Sequence, residues 1–302
     1  MKFLISGGTG LIGSKLTSHL IDNGHSVNIL SRRYRKSNNS RIEYFIWKPS
    51  ERVIDKSSIK GVDVVINLAG SSVFSLWTKR NKKKILNSRI DSLSTLYQII
   101  KREKNHNVSQ VISASAIGIY PNSKTLKYDE SFQSKEGLFL THVVREWEKK
   151  VQEFNKLNIS VTTLRIGLVL SKDGGILKKL IQINKLRISN VIDGGKQCQS
   201  WIHIDDLVNI FYHAVENKLE GIYNAVSPNP STFLKLQELT SKLSHKSLLN
   251  FNIPKSLVII PFKLIGILDF YYDVIASDKN VSASKIVKSG YHFNYPTLGK
   301  IK

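Results

Sequence analysis

Four glycines in seven residues, GGTGLIG (7–13), separate the apolar run KFLIS (2–6) from a helical pattern beginning at Leu11. Strand, glycine turn and helix in that order are the context in which such glycines hold a dinucleotide pyrophosphate. The segment parses as Gly8-x-Gly10-x-x-Gly13 or as Gly7-x-x-Gly10-x-x-Gly13. In both, one glycine makes the tight turn, Gly10 lets backbone approach the phosphates, and Gly13 lets the helix pack on the strand. The helix start, with Thr9, Leu11 and Ile12 around it, then offers free N–H groups and a partial positive charge.

The next chemical choice falls at the end of the second strand, SVNIL (26–30). A chain selecting NAD places Asp or Glu there to accept from the ribose 2′-OH. This one continues Ser31-Arg32-Arg33-Tyr34-Arg35-Lys36. A guanidinium matches an anionic 2′-phosphate with paired donors, so NADP(H) is the expected cofactor, with Arg32 leading and Ser31 assisting. The alternative is a basic loop that meets only water.

Positioning these groups requires a parallel sheet. Strand-like runs at EYFIW (43–47), VDVVINLA (62–69), VSQVISAS (108–115) and ISVTTLRIGLVL (159–170) alternate with helical patterns at 11–23, 79–104 and 138–150. That alternation predicts an α/β fold, a Rossmann-like doubly wound parallel sheet spanning 1–171. Segments within 190–227, including GIYNAV (221–226), are expected to complete it. Residues 228–302 are expected to form a smaller, mainly helical C-terminal lobe over the sheet's C-terminal edge, where ligands of open α/β sheets bind. Helices are expected at 176–186, 204–217, 232–244 and 254–276. The final stretch reads as a short helix, a glycine stop and an edge strand.

With 302 residues and 41% hydrophobic content the chain can bury a large core. One cysteine, Cys198, rules out a disulfide framework or thiolate cluster and fits a reducing, cytoplasmic setting. No His, Asp or Glu cluster has metal-ligand spacing. The apolar stretch 257–276 is broken by Pro261, Lys263, Asp269 and Asp273, so no membrane span is expected. The net charge of +22 is scattered over helix surfaces, with dense runs only at 32–36 and 79–84, so specific nucleic-acid binding is not expected.

GGTGLIG, VINLAGSSV, WTKRNKKKILNSRIDS, ISASAIGIY, LRIGLVLSKDGG, SWIHIDDL and SGYHFNYPTL together resemble the atypical extended short-chain dehydrogenases/reductases. More narrowly they resemble an epimerase/dehydratase-like subgroup filed as nucleotide-sugar epimerases or cell-division-inhibitor-like proteins, which carries a small C-terminal domain of uncharacterised role. The resemblance runs in order over nearly the whole chain. It implies that Leu68, Ala69 and Gly70 run under the adenine-side ribose and phosphates and that Lys48 lies near the adenine. It places Ser113 to Ala116 near the nicotinamide ribose, and Ile166 and Gly167 beside the nicotinamide. Relatives commonly have an acidic residue after Ala-Gly and an arginine before Trp-Thr, where this chain has Ser71 and Leu76.

The superfamily's catalytic tyrosine and lysine, four residues apart, fall here on Leu140 and Val144, which handle no protons. Ser115, at the position of the substrate-polarising serine, either hydrogen-bonds a substrate carbonyl or caps a buried strand. Tyr120 is the candidate displaced proton donor. His142 reads first as a surface histidine, and Asp205 and Asp206 as helix caps. The expected function is an NADP(H)-dependent oxidoreductase or epimerase acting on a small molecule. The alternative is a non-catalytic NADP(H) sensor or partner-binding protein. A homodimer is left open.

Overall fold

Apolar runs of four to seven residues, rich in Val and Ile, become the central strands, buried on both faces. The computed structural model describes residues 1–134, 137–184, 188–244 and 249–302. In chain order the strands are β1 (Lys2–Ser6), β2 (Ser26–Ser31), β3 (Ile42–Lys48), β4 (Val53–Ile54), β5 (Val64–Asn67), β6 (Gln110–Ala116), β7 (Lys127–Tyr128), β8 (Ser160–Ile166), β9 (Leu168–Leu170), β10 (Ile188–Ile192), β11 (Cys198–Gln199), β12 (Trp201–His203), β13 (Gly221–Ala225), β14 (Ser231–Thr232), β15 (Leu249–Ile253) and β16 (Asn280–Val281). The helices are α1 (Leu11–Asp22), α2 (Lys79–Arg102), α3 (Phe139–Gln152), α4 (Gly175–Asn184), α5 (Ile204–Glu216), α6 (Phe233–Ser244), α7 (Lys255–Leu264), α8 (Leu268–Phe270) and α9 (Ser284–Lys288).

Eight strands form one sheet in the order β13-β8-β6-β5-β1-β2-β3-β4. Every pairing is parallel except the terminal β3–β4 pair. This is the doubly wound Rossmann arrangement, and its order reverses between β1 and β5. Helix α1 packs beside α5, and α2 beside α3. The strand interiors Phe3, Leu4, Ile5, Val65, Ile66, Val111 and Ile112 are fully or almost fully removed from water. The polar side chains of the central strands satisfy one another: Ser6 Oγ donates to Asn67 Oδ1 at 2.6 Å, and Asn67 Nδ2 donates to Ser113 Oγ at 3.2 Å.

Three expectations change. The run 159–170 is not one strand, because it breaks at Gly167 and Leu168–Leu170 pairs with Trp201–His203 instead. A Cβ at Gly167 would stand 2.6 Å from the Ser200 carbonyl oxygen, so only glycine lets the chain cross there. The run 254–276 is not one helix, since Gly266 takes φ 70° after α7 and ends it. After α9, Gly290 makes the expected stop, but residues 291–297 form no strand. The expected helix over 176–186 is present as Gly175–Asn184, and its last residues lie outside the described ones.

A second apolar cluster joins Leu170, Leu177, Trp201, Leu236, Leu239 and Ile301, beneath α4 and α6. A third joins Trp77 and Ile85 to Val143 and Ile267, and it closes the C-terminal segment over α2 and α3. The third cluster, through Val143 with Val73, Leu140 and Val274 packed against it, walls a cleft at the C-terminal ends of the strands. Among the described residues no helix is long and apolar enough to cross a membrane.

Candidate functional site

The turn after β1 and the loop after β5 meet at the point where the strand order reverses. Gly7 adopts φ 75°, and a Cβ there would stand 2.7 Å from the Leu68 carbonyl oxygen. Gly13 sits against the same turn, where a Cβ would stand 2.3 Å from the Gly7 carbonyl oxygen. Gly10 N donates to Gly7 O at 3.0 Å, which closes the turn and leaves the first N–H groups of α1 pointing outward.

The resulting groove is lined by Gly7, Thr9 and Gly10 on one wall and by Leu68, Ala69 and Gly70 on the other. Ser31 and Arg32 line its far end, with the buried Trp47 and Pro49. Leu11 and Ile12 are half-buried against the core, and Leu11 also meets Gly174. Lys48 lies beside the groove without lining it, its exposed ammonium 3.5 Å from Glu51. Ser113 lies below the surface, with Oγ donating to Ala114 O at 2.9 Å. Ser71 lines the groove, while Leu76 is exposed.

Beyond Gly70 the groove continues into a cleft of about 860 Å³, counting its open mouth. Ile166 and Gly167 line it, as do Leu140 and Val144, the positions of the superfamily's tyrosine and lysine. These two side chains pack on Gly118, where a Cβ would stand 3.2 Å from Leu140 Cβ and 3.4 Å from Val144 Cγ2. The helix therefore faces the cleft as a catalytic helix would, with an apolar surface. His142 is exposed on the opposite side.

Ser115 and Tyr120 do not line that cleft. Both belong to a buried network behind α3. Ser115 Oγ donates to Glu148 Oε1 at 2.6 Å. Arg165 grips the same carboxylate in two-pronged fashion, Nε to Oε1 at 2.9 Å and Nη2 to Oε2 at 2.8 Å. Arg165 Nη1 donates to Tyr120 OH at 2.9 Å, and Tyr120 OH donates to Asn224 Oδ1 at 2.8 Å. Burial pushes the Tyr120 phenol up, against the opposing charge and hydrogen bond of Arg165. Burial alone would weaken Arg165 as a cation, but the Glu148 hydrogen bonds and charge outweigh it and raise its pKa. The network ties β6, α3, β8 and β13 together. The sequence signal for it was Arg165 itself, a charge inside the otherwise uncharged run ISVTTLRIGLVL.

Three charged side chains of the cleft escaped the sequence reading: Arg89, Asp273 and Lys279. Arg89 stacks on Trp147, its guanidinium carbon 4.8 Å from the ring centre, and donates to the carbonyls of Ile85 and Ser71 at 2.8 and 3.2 Å. Burial lowers its pKa to about 10. Asp273 Oδ2 accepts from Leu140 N at 2.9 Å and so caps α3 from a distant part of the chain. Burial raises the Asp273 carboxyl and lowers the Lys279 ammonium.

The expected caps at Asp205 and Asp206 also resolve differently. His203 caps α5, its Nδ1 accepting from Asp205 N at 3.3 Å. Asp206 is wholly buried and reaches across to the C-terminal segment. It accepts from Tyr291 OH at 3.0 Å, Asn294 N at 2.8 Å and Tyr295 N at 2.9 Å. These bonds replace the sheet edge expected there. No group of three or more His, Cys, Asp or Glu side chains among the described residues could hold a metal ion.

The NAD dependent epimerase/dehydratase family profile matches residues 3–225. The chain is 31% identical over 299 residues to the epimerase family protein YfhF of Bacillus subtilis, covering 99% of this chain and 95% of that one. It is 30% identical over 298 residues to the epimerase family protein SERP0438 of Staphylococcus epidermidis, covering 98% and 96%. Among solved structures, the human epimerase family protein SDR39U1 with NADPH superposes with a TM-score of 0.81 at 25% identity, over 99% of this chain and 97% of that one. The UDP-glucuronic acid 4-epimerase of Bacillus cereus with NAD shares the fold, at a TM-score of 0.77 and 18% identity over 99% and 95% of the two chains. Sheet order, groove and comparisons converge: the chain belongs to the NAD dependent epimerase/dehydratase family, within the atypical extended short-chain dehydrogenases/reductases.

Proposed function

We propose that the chain binds NADP(H) in the groove and acts as an oxidoreductase or epimerase on a small molecule held in the adjoining cleft. The observation that carries this reading is the far end of the groove, where Ser31 and Arg32 stand in place of a carboxylate. A guanidinium there favours a 2′-phosphate and an acidic side chain would repel it. The glycine turn fits the same group, because its walls leave no room for a Cβ at Gly7 or Gly13. The human relative with NADPH supports the phosphorylated form.

In this reading the N–H groups around Thr9, Gly10, Leu11, Ile12 and Gly13 face the pyrophosphate. Leu68, Ala69 and Gly70 form the wall beneath it, and Ile166 and Gly167 flank the nicotinamide. The bound cofactor supplies hydride transfer. Ser113 braces the strand below. Ser115 and Tyr120 hold α3 against the sheet, since their hydroxyl protons are already given to Glu148 and Asn224. We take 1–171, completed by parts of 190–227, as the nucleotide-binding unit and 228–302 as the substrate or partner lobe.

The apolar Leu140 and Val144 favour a second reading, in which the chain senses NADP(H) without turnover. Oxidation of NADPH across a panel of carbonyl compounds and nucleotide sugars separates the two. Turnover of any member supports the enzyme. Tight NADPH binding with a silent panel supports the sensor.

A further inference from the structure

Charge in the cleft does not balance. Lys279 is 3% exposed and Arg89 9%, and neither has a carboxylate within 4.0 Å among the described residues. The walls around them are apolar, with Val73, Ile117, Leu140, Val144, Ile166 and Leu168. Asp273, the one carboxylate lining the cleft among the described residues, is beyond ion-pair distance of both and already accepts the Leu140 N–H. Two cations therefore face one carboxylate in an apolar recess. A buried charge in that state is costly until a counter-charge arrives.

Backbone contacts fix where the Lys279 side chain enters. Lys279 N donates to Cys198 O at 3.0 Å, and Ser200 Oγ donates to Lys279 O at 2.8 Å. Ser200 is the residue whose carbonyl abuts Gly167. Lys279 is thus tied through Ser200 to the strand break that the proposed cofactor reading sets beside the nicotinamide. Arg89 enters from the other side, under Gly70, with its guanidinium carbon 3.2 Å from where a Gly70 Cβ would be.

We propose that this cleft takes a compact apolar molecule carrying one carboxylate, with Lys279 as the group that binds it. The proposal rests on reading the cleft as the substrate site. It goes further in naming an apolar monoanion where a nucleotide sugar would present hydroxyls and a diphosphate. The carboxylate supplies the missing negative charge, and its apolar body covers the wall of Leu140 and Val144. Burial lowers the Lys279 ammonium and raises the Asp273 carboxyl, each shift opposed in part by the charge of the other group.

The test uses the full chain saturated with NADPH, with binding of benzoate and benzamide measured by calorimetry. These probes have one shape and differ by one charge. The proposal predicts that benzoate binds at least about tenfold tighter, as expected for a charge-assisted hydrogen bond in an apolar site. In Lys279→Met the preference falls to about threefold or less, while NADPH affinity is unchanged. Lys279→Met removes a buried charge at near-constant volume, so it should fold. If it does not, the wild-type comparison still decides. Equal binding of the two probes, or a preference that survives Lys279→Met, overturns the proposal. Loss of NADPH binding by the wild-type chain would instead overturn the cofactor reading, and the two failures are read separately.

Discussion

Glu148 holds Arg165 through two parallel hydrogen bonds of 2.9 and 2.8 Å, with both side chains less than a tenth exposed. The pair pins α3 to the strand beside it and leaves Ser115 and Tyr120 as its hydrogen-bonding neighbours. Removing one partner strands a buried charge. Glu148→Gln is expected to cost about 3–5 kcal/mol in urea denaturation. Replacing both residues with methionine should recover most of that loss.

Ser115→Ala and Tyr120→Phe should behave as structural variants. Tyr120→Phe leaves Arg165 Nη1 and Asn224 Oδ1 without a partner and should cost about 1–3 kcal/mol. Affinity for NADPH should stay within about twofold of wild type for both variants, because neither side chain lines the groove and sites without shared partners act nearly independently. A large loss of cofactor affinity in Ser115→Ala would place that hydroxyl in the groove.

Gly13→Ala puts a methyl group 2.3 Å from a backbone oxygen. The turn must open, at a cost of about 1–3 kcal/mol, and NADPH affinity should fall with it. Thermal unfolding with and without NADPH measures both effects.

Stability should fall on the acid side through His203. Burial lowers its pKa, the charges of Asp205 and Asp206 oppose that, and those of Lys15 and Lys172 add to it. Its neutral Nδ1 caps α5, and its ring stacks on Tyr295 at 3.7 Å between centroids. The folded state binds this proton less readily than the unfolded chain. The contribution is therefore complete above about pH 6.5 and is lost as pH falls through the lowered folded value. Denaturation between pH 5 and 8 should show this limb, and His203→Asn, which keeps a capping acceptor, should flatten it.

The sheet was legible because its strands are continuous apolar runs, and the groove because glycine spacing carries its own geometry. What escaped were contacts made across long stretches of chain. The break at Gly167 depends on Ser200, which the local pattern TTLRIGLVL does not contain. Asp206 looked like a cap because local spacing shows only its own helix, whereas its partners lie at Tyr291, Asn294 and Tyr295. Asp273 interrupts the apolar stretch 257–276 and Lys279 follows it, and no local spacing marks either as part of a site. Only the fold brings them beside Leu140.

The central claim is that the groove selects the phosphorylated dinucleotide through Arg32. Titration of the wild type and of Arg32→Ala with NADPH and NADH tests it directly. The account predicts that the wild type prefers NADPH by at least about tenfold, and that Arg32→Ala loses most of that preference while binding NADH as before. Equal affinity of the wild type for both dinucleotides, or an Arg32→Ala variant that keeps the preference, would contradict it.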